Sequence, residues 1–313
     1  MSTTNKYTID VVKKCIIFSD CDLDGIGSYL VFRWFTGMKN IEHEICSQSN
    51  FRKTFSAWSM KNKIEDYDKV YIFDLDVSQN NLDLVDHENV SIVDHHDTHV
   101  QNKDKYKKAT TILSEYTSCC KLLYDLLRKK YEKRKLTDHQ KLLILMVDDY
   151  DSYKLQVKGS YELNIILWNY VGQRAEQFTR DFGNGFKGFN QSHLNMIALN
   201  KKKVTRVISE LQIFEGSLPL NGKKYNLFAT MASESLNEVA HHVINSYKCD
   251  IVMVMNMNTK RVSFRVNKEK CPEVDLGKLA SNIAEGGGHP YSAGGQLTDK
   301  VMTLTKLLTP VTT

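Results

Sequence analysis

Proline and closely paired cysteines are scarce in this sequence. Only four prolines occur in 313 residues, and none of the seven cysteines belongs to a C-x-x-C pair. The shortage of proline argues against an extended proline-rich linker, and the missing C-x-x-C pairs exclude a zinc ribbon. Because the number of cysteines is odd, we expect reduced thiols rather than a disulfide framework.

Long apolar runs are also missing. The longest aliphatic run, LLILMV at residues 142–147, is far shorter than the roughly 20 residues that span a bilayer. The first residues, MSTTNKYTIDVVKK, lack the apolar core of a signal peptide and the Arg-rich composition of a transit peptide. We therefore expect a cytoplasmic protein without a membrane partner. The net charge of +5 favours an anionic substrate and permits nucleic acid.

The order of sequence patterns predicts an α/β protein with two domains. Short β-rich segments alternate with helical patterns in the first half, which is typical of βαβ units and a parallel sheet. The predicted regions are a catalytic domain at 1–155, a helical bridging region at 156–215 and a smaller α/β domain at 216–313. Capping boxes are expected at Thr137 with Gln140 and at Ser235 with Glu238.

Acidic residues and histidines follow three of the predicted strands. Ligands of open α/β sheets bind outside the carboxyl ends of the strands, so these side chains should converge. One such cluster alone could be helix caps and turn formers, but three at strand ends favour a site. A further acidic group ends a later helix. The residues are Asp20, Asp22 and Asp24; Asp74 and Asp76; Asp94, His95 and His96; and then Asp148, Asp149 and Asp151.

The ligand types in these clusters predict a metal site. Many carboxylates with a few imidazoles and no thiolate suit Mn²⁺ or Mg²⁺ better than structural zinc. The number of carboxylates suggests two ions, the usual apparatus for phosphodiester hydrolysis. Near the C-terminus, Gly286–Gly288 before His289 predict a flexible loop whose amides could approach an anion, and Arg265 could bind a phosphate with both arms of its guanidinium.

The ordered motifs DCDLDG, YIFDLD, DHH, DDYD and GGGHPYSAGG resemble the DHH phosphoesterase superfamily with its DHH-associated C-terminal domain. The resemblance runs from about Lys13 to Leu297. SDCDLDGIGS, YDSY, LNIILWNYVG and SLNEVA look like the nano-RNase B branch, whose members degrade very short RNA. The resemblance to the superfamily implies a parallel-sheet DHH domain, a smaller C-terminal α/β domain and an active site in the cleft between them.

The resemblance also implies a role for each matching residue. Asp22 and Asp24 would bind metal, Asp74 would bridge two ions, and His95 would be a ligand oriented by Asp94. The fourth-motif ligand would be Asp151, with Asp148 and Asp149 as alternatives. Asp74, His95 and His96 would be the catalytic residues. Substrate phosphate would be held by His96, Arg265, Gly287, Gly288 and His289.

One position departs from the family pattern. Many members have a histidine four residues before the first paired aspartate, whereas this sequence has Phe18 there. Asp20 is the candidate replacement as a metal ligand, or else that coordination position is open.

The expected activity is Mn²⁺-dependent hydrolysis of phosphodiester bonds in short oligonucleotides, with two ions and with Mg²⁺ as a possible substitute. The enzyme would be an oligoribonuclease-type exonuclease that releases mononucleotides from single-stranded RNA or DNA and could form a homodimer. The alternatives are a RecJ-like single-strand DNA exonuclease, a cyclic-dinucleotide phosphodiesterase, a 3'-phosphoadenosine 5'-phosphate phosphatase, and an inactive nucleotide-binding sensor.

Overall fold

The computed structural model describes residues 13–38 and 41–311. The first twelve residues, on which the expectation of no signal peptide depends, lie outside the described residues. The protein consists of two compact units, one ending at Ile197 and the other beginning at Ala198. Within the described ranges, no helix is both long enough and apolar enough to cross a membrane.

The first unit is built on a five-stranded parallel sheet, which confirms the predicted α/β class. The strand order is β2-β1-β3-β4-β5, so β2 lies on one side of β1 and the later strands lie on the other side. An open parallel sheet has its ligand crevice where the strand order reverses, which here is between the carboxyl ends of β1 and β3. The strands are β1 (Cys15–Ser19), β2 (Glu42–Ile45), β3 (Lys69–Phe73), β4 (Val90–Asp94) and β5 (Thr110–Leu113).

Helices follow the strands, and further helices continue the chain after them. The capping box of Thr137 with Gln140 is confirmed at the start of α6. The helices are α1 (Leu23–Thr36), α2 (Phe51–Ser59), α3 (Leu82–Val85), α4 (Asp97–Gln101), α5 (Cys119–Lys130), α6 (Asp138–Asp151), α7 (Ser160–Asn169), α8 (Arg174–Phe182) and α9 (Gln191–Ser209).

Both faces of the inner strand β1 are buried, which explains why its sequence, CIIFS, is almost entirely apolar. In β1, Ile17 belongs to the hydrophobic cluster that includes Leu30 of α1. Its neighbour Phe18 belongs to a second cluster with Phe51 and Trp58 of α2. Successive side chains of a strand point to opposite faces, so β1 supplies both clusters and holds the start of α1 against the sheet edge.

The second unit contains a seven-stranded mixed sheet in the order β10-β11-β9-β8-β7-β6-β12. The pair β7 and β8 is parallel and the other pairs are antiparallel. The predicted boundary near residue 216 falls within β6. The elements are β6 (Ile213–Leu220), β7 (Lys223–Met231), α10 (Leu236–Tyr247), β8 (Ile251–Asn256), β9 (Arg261–Val266), α11 (Leu276–Ile283), β10 (Gly287–His289), β11 (Ser292–Gln296), α12 (Asp299–Thr305) and β12 (Thr309–Pro310).

Two local expectations for this unit are wrong. Ser235 precedes α10 with a left-handed backbone (φ 56°) and makes no side-chain capping bond, so the capping box with Glu238 does not form. The glycine run is not a flexible loop, because Gly287–His289 pair with β11. Gly288 has φ 139°, and a Cβ there would lie 2.5 Å from the carbonyl oxygen of Ser292. The run is therefore glycine-rich largely because strands pack closely there.

We predict different consequences for two adjacent glycines. A Cβ at position 286 would clash with the carbonyl oxygen of Gly294, whereas a Cβ at position 287 meets no described atom within 4 Å. Gly286→Ala should therefore lower the free energy of unfolding by about 1–3 kcal/mol, as overpacking does. Urea unfolding measures this, with Gly287→Ala as the matched control. Equal stability of the two variants would contradict the strand packing.

Candidate metal centre

Side chains from two strand ends, from the start of α1 and from the end of α6 converge on His95. Its Nε2 lies 3.4 Å from Asp74 Oδ1, 3.5 Å from Asp24 Oδ2 and 3.4 Å from Asp151 Oδ2. His95, Asp24 and Asp74 are buried. The structure thus brings together four residues that the sequence places far apart along the chain.

A backbone carbonyl sets the orientation of the His95 ring. Nδ1 lies 3.1 Å from the carbonyl oxygen of Tyr116. A carbonyl can only accept a hydrogen bond, so Nδ1 is the protonated nitrogen in the neutral ring. Nε2 then presents its lone pair toward the carboxylates, which is the tautomer a metal ligand needs.

The first turn of α5 holds Asp24. Oδ2 accepts a hydrogen bond of 2.6 Å from the amide of Cys119, and Oδ1 accepts one of 2.8 Å from the amide of Cys120. These amides have no partner within the helix, and they favour a negative group. Burial outweighs them and raises the pKa of Asp24 to about 6.

Asp74 has an unusual backbone. It follows β3 with a positive φ of 58°, a region that aspartate and asparagine enter more readily than most residues. Burial raises its pKa well above the ordinary value, and the carboxylates of Asp24 and Asp22 raise it further. A buried carboxylate in a sparsely populated conformation next to like charges is typical of a functional site.

Asp151 carries the clearest sign that a cation fits here. Its Oδ2 is buried and accepts no hydrogen bond from the described residues. Burial raises the pKa of Asp151 well above its usual range, and Asp24 is the largest charged contributor. Neighbouring ligands on an octahedral ion with bonds of ~2.1 Å lie roughly 3 Å apart. The 3.4–3.5 Å separations around His95 Nε2 are close to that spacing, so the donor set fits Mn²⁺ or Mg²⁺.

The two alternatives to Asp151 have other partners. Asp149 accepts from the amides of Gln156 and Val157 and from the hydroxyl of Ser160 at 2.6–3.0 Å, which pins the turn after α6. Asp148 accepts from the hydroxyls of Thr117 and Ser118. Of the three aspartates, Asp151 is the one grouped with His95 and Asp24 as potential metal ligands.

Asp94 has different partners from the one expected. Its Oδ1 lies 2.7 Å from Nδ1 of His96, and its Oδ2 lies 2.6 Å from Nδ1 of His99. The expectation that it orients His95 therefore needs correction, since Tyr116 has that position. Asp94 is fully buried, and although burial alone would raise its pKa, His96 and His99 hold the pKa well below the ordinary value.

The remaining predicted ligands lie in the turn before α1. Asp22 is the N-cap of this helix and accepts a 2.9 Å hydrogen bond from the amide of Gly25. Asp20 accepts from the amide of Cys21, and burial together with Asp22 raises its pKa to about 7. Phe18 lies in the core, with its ring 5.0 Å from that of Phe55. The metal roles of Asp20 and Asp22 stay predictions.

The second unit contains the other predicted substrate residues. Arg265 in β9 donates from Nη2 to Oδ1 of Asn237 at 2.8 Å and from Nη1 to the hydroxyl of Ser292. Gly287, Gly288 and His289 form β10, which pairs with β11. Their roles in binding phosphate stay predictions.

Several residues around the candidate metal centre were not predicted from the sequence. They are His99, Tyr106, the carbonyl of Tyr116 and the amides of Cys119 and Cys120. His99 stands three residues after His96, on the same side of a helical turn, and that spacing was the available signal. Backbone groups carry no side-chain signal, so Tyr116, Cys119 and Cys120 required the folded structure.

Residues 14–147 match the model of the DHH family, N-terminal domain. This stretch contains Asp24, Asp74 and the Asp94–His96 triplet. The stretch that matches this family model therefore lies within the first unit. No sequence among the curated proteins matches the chain.

Solved structures share the fold at low sequence identity. PggH, a pGpG-specific phosphodiesterase from Vibrio cholerae, is 13% identical with a TM-score of 0.56, covering 94% of this chain and 97% of that one. An exopolyphosphatase-related protein from Bacteroides fragilis is 16% identical with a TM-score of 0.54, covering 95% and 91%. RecJ in complex with Mn²⁺ from Thermus thermophilus is 10% identical with a TM-score of 0.56, covering 94% and 51%. At these identities the similarity establishes the fold.

We predict that neutralising Asp74 stabilises the metal-free protein at high pH. Because burial raises the pKa of Asp74 in the folded protein, the folded protein holds the Asp74 proton at pH values at which the unfolded chain has already lost it. The cost of burying Asp74 therefore grows as pH rises above the ordinary pKa of aspartate. In EDTA, the melting temperature of Asp74→Asn should exceed that of the wild type at pH 8, with a smaller difference at pH 4. Asparagine also tolerates the positive φ.

The matched control is Asp83→Asn, because Asp83 is exposed and paired with Arg52. Hydrogen bonding to Arg52 lowers the pKa of Asp83, so its replacement should not stabilise the protein at pH 8. Adding Mn²⁺ at pH 8 should raise the melting temperature of the wild type far more than that of Asp74→Asn. A wild type that Mn²⁺ does not stabilise would contradict the metal centre.

Proposed function

We propose that this protein is a divalent-metal-dependent phosphodiesterase that hydrolyses short oligonucleotides, in the manner of a nano-RNase exonuclease releasing mononucleotides. The observation that carries the proposal is the convergence of Asp24, Asp74 and Asp151 on Nε2 of His95. The DHH family N-terminal domain in the same stretch supports a hydrolase of phosphoester bonds.

In this proposal Asp24, Asp74, His95 and Asp151 hold the metal, with Asp22 and Asp20 completing the ligands of a second ion. Bound there, Mn²⁺ or Mg²⁺ would supply Lewis acidity to the scissile phosphoryl group. Asp74 would be a ligand shared by the two ions, as the resemblance implies, and its Oδ1 lies 3.4 Å from His95 Nε2. A RecJ structure that contains Mn²⁺ supports manganese.

His96 is the proposed donor to the substrate phosphate. Burial would lower its pKa, but Asp94 outweighs burial and raises the pKa to about 10. The ring is then protonated on both nitrogens at neutral pH, with Nδ1 donating to Asp94 and Nε2 as the second donor. A fixed donor stabilises negative charge that develops on a phosphoryl oxygen.

The second unit is the proposed holder of the substrate's terminal phosphate through Arg265, Gly287, Gly288 and His289. Arg265 is held by Asn237 and Ser292, which limits the rotamer freedom it would lose on binding. No atom of the described residues lies within 4 Å of the position where a Cβ of Gly287 would stand, which would let an anion approach its backbone.

A length series of substrates tests the proposal. Labelled RNA and DNA from dinucleotides to 20-mers, together with cyclic dinucleotides and 3'-phosphoadenosine 5'-phosphate, would be incubated with Mn²⁺ or Mg²⁺. We expect the highest kcat/KM for dinucleotides to pentanucleotides, with mononucleotide products. PggH, whose substrate pGpG is a dinucleotide, supports the short end of this range. Processive degradation of 20-mer DNA would favour a RecJ-like exonuclease instead.

Asp74→Asn should abolish hydrolysis, since it replaces a charged metal ligand by a neutral amide while preserving size and backbone preference. We expect kcat/KM to fall by at least ~10³-fold, in line with the weight of metal-centred electrostatics in catalysis. Single-turnover assays with a labelled dinucleotide measure this, and circular dichroism checks the fold. Retained activity would refute the assignment of Asp74.

His289→Ala should raise KM much more than it weakens metal binding, because the proposed contact is with substrate phosphate. We expect an increase in KM of about 10-fold, the value of one lost charge-assisted hydrogen bond. Steady-state kinetics gives KM, and titration calorimetry gives the Mn²⁺ affinity. An equal loss of both would show that His289 is wrongly assigned.

A further inference from the structure

Four buried or half-buried groups form a continuous array beside the metal centre, which we call the Asp94 hydrogen-bond array. Oη of Tyr106 lies 2.6 Å from Nε2 of His99. Nδ1 of His99 lies 2.6 Å from Oδ2 of Asp94, and Oδ1 of Asp94 lies 2.7 Å from Nδ1 of His96. The array connects the loop after α4 to the residue that we assign to substrate phosphate.

The carboxylate of Asp94 fixes the direction of the two central hydrogen bonds in the array. An ionised carboxylate only accepts, so both histidines donate to Asp94 through their Nδ1 protons. Because Nδ1 of His99 donates to Asp94, its other ring nitrogen, Nε2, makes the hydrogen bond with the hydroxyl of Tyr106. Each group in the array is therefore oriented by the one before it.

A competing acceptor lies near His99 but is already engaged. Asp76 Oδ1 is 3.8 Å from Nδ1 of His99, too far for a hydrogen bond. That oxygen accepts from the amide and hydroxyl of Ser78 at 3.0 and 2.6 Å, and Oδ2 accepts from the hydroxyl of Thr98 at 2.5 Å. His99 is consequently directed to Asp94.

The central pair of the array, His99 and Asp94, is completely buried, so water cannot replace one partner of the other. His99 and Asp94 each have 0% exposure. Without His99, Oδ2 of Asp94 would be left in the interior without that donor, and the carboxylate could rotate away from His96. A hydroxyl, an imidazole and a carboxylate therefore form a series of hydrogen bonds that ends at His96, the histidine proposed to contact substrate.

We infer that His99, supported by Tyr106, is a positioning residue that holds Asp94 and thereby fixes the tautomer and ring orientation of His96 for phosphoryl transfer. The inference depends on the proposed function for its catalytic consequence. The orientation of His96 by His99 through Asp94 does not depend on that function and is expected in the metal-free protein as well.

The first test removes one hydroxyl. Tyr106→Phe should lower kcat by about 10-fold, as loss of an outer hydrogen-bond partner does, while KM and Mn²⁺ affinity stay within about twofold. The matched control is Tyr170→Phe, because Tyr170 also bonds a carboxylate and a histidine, Asp181 and His193, in the same unit. It should leave kcat unchanged even if both variants lose similar stability.

The second test replaces the imidazole itself. The side-chain amide of His99→Asn can donate near the position of Nδ1, whereas His99→Leu cannot. We therefore expect kcat to be higher in His99→Asn than in His99→Leu. A kcat that is unchanged in Tyr106→Phe, or a Mn²⁺ affinity that falls in step with kcat, would overturn the inference.

A spectroscopic measurement separates this inference from the proposed function. In metal-free protein with ¹⁵N-labelled histidine, the Nδ1 proton of His96 should give a protected, downfield resonance in the wild type, in Tyr170→Phe and in His99→Asn. The resonance should shift in Tyr106→Phe and disappear in His99→Leu. If the wild type hydrolyses none of the substrates, the proposed function fails, and this resonance alone decides the positioning role. A signal unchanged in Tyr106→Phe and, where His99→Leu folds, also in that variant would refute it.

Discussion

The organisation of the first unit depends on the cost of burying several carboxylates around one imidazole. Asp24, Asp74 and Asp151 all face Nε2 of His95, and burial raises the pKa of each. Without a cation, this burial favours the protonated forms of the carboxylates. The fold sustains this arrangement with fixed dipoles, because the amides of α5 hold Asp24 and the carbonyl of Tyr116 holds His95.

The cost of burying carboxylates also explains why the acidic residues near the site have different partners. Asp149 holds the turn after α6, Asp22 caps α1, and Asp76 joins the start of α4 to the loop after β3. Each of these carboxylates accepts hydrogen bonds from nearby donors. Asp151 differs, since its Oδ2 is buried and accepts no hydrogen bond from the described residues. A cation is the partner that such an atom lacks, which is why the donor set fits a divalent metal.

The metal centre and the Asp94 hydrogen-bond array use two histidines that are adjacent in sequence. His95 and His96 follow β4, where consecutive side chains leave in different directions. The carbonyl of Tyr116 orients the ring of His95, and Asp94 orients the ring of His96. Two neighbouring imidazoles are thereby fixed by different hydrogen-bond partners, one by a backbone carbonyl and the other by a carboxylate.

The sequence by itself determined the α/β class and the parallel sheet, because strand periodicity and the order of patterns are local properties. It also determined that Asp24, Asp74 and His95 would meet, since parallel strands place their carboxyl ends at one edge. Only the tertiary structure showed that Asp151 lies beside Nε2 of His95, that Asp94 contacts His96 and His99, and that Gly287 and Gly288 belong to a strand. Those outcomes depend on which donors, carbonyls and neighbouring strands approach from distant segments, and no local pattern encodes that approach.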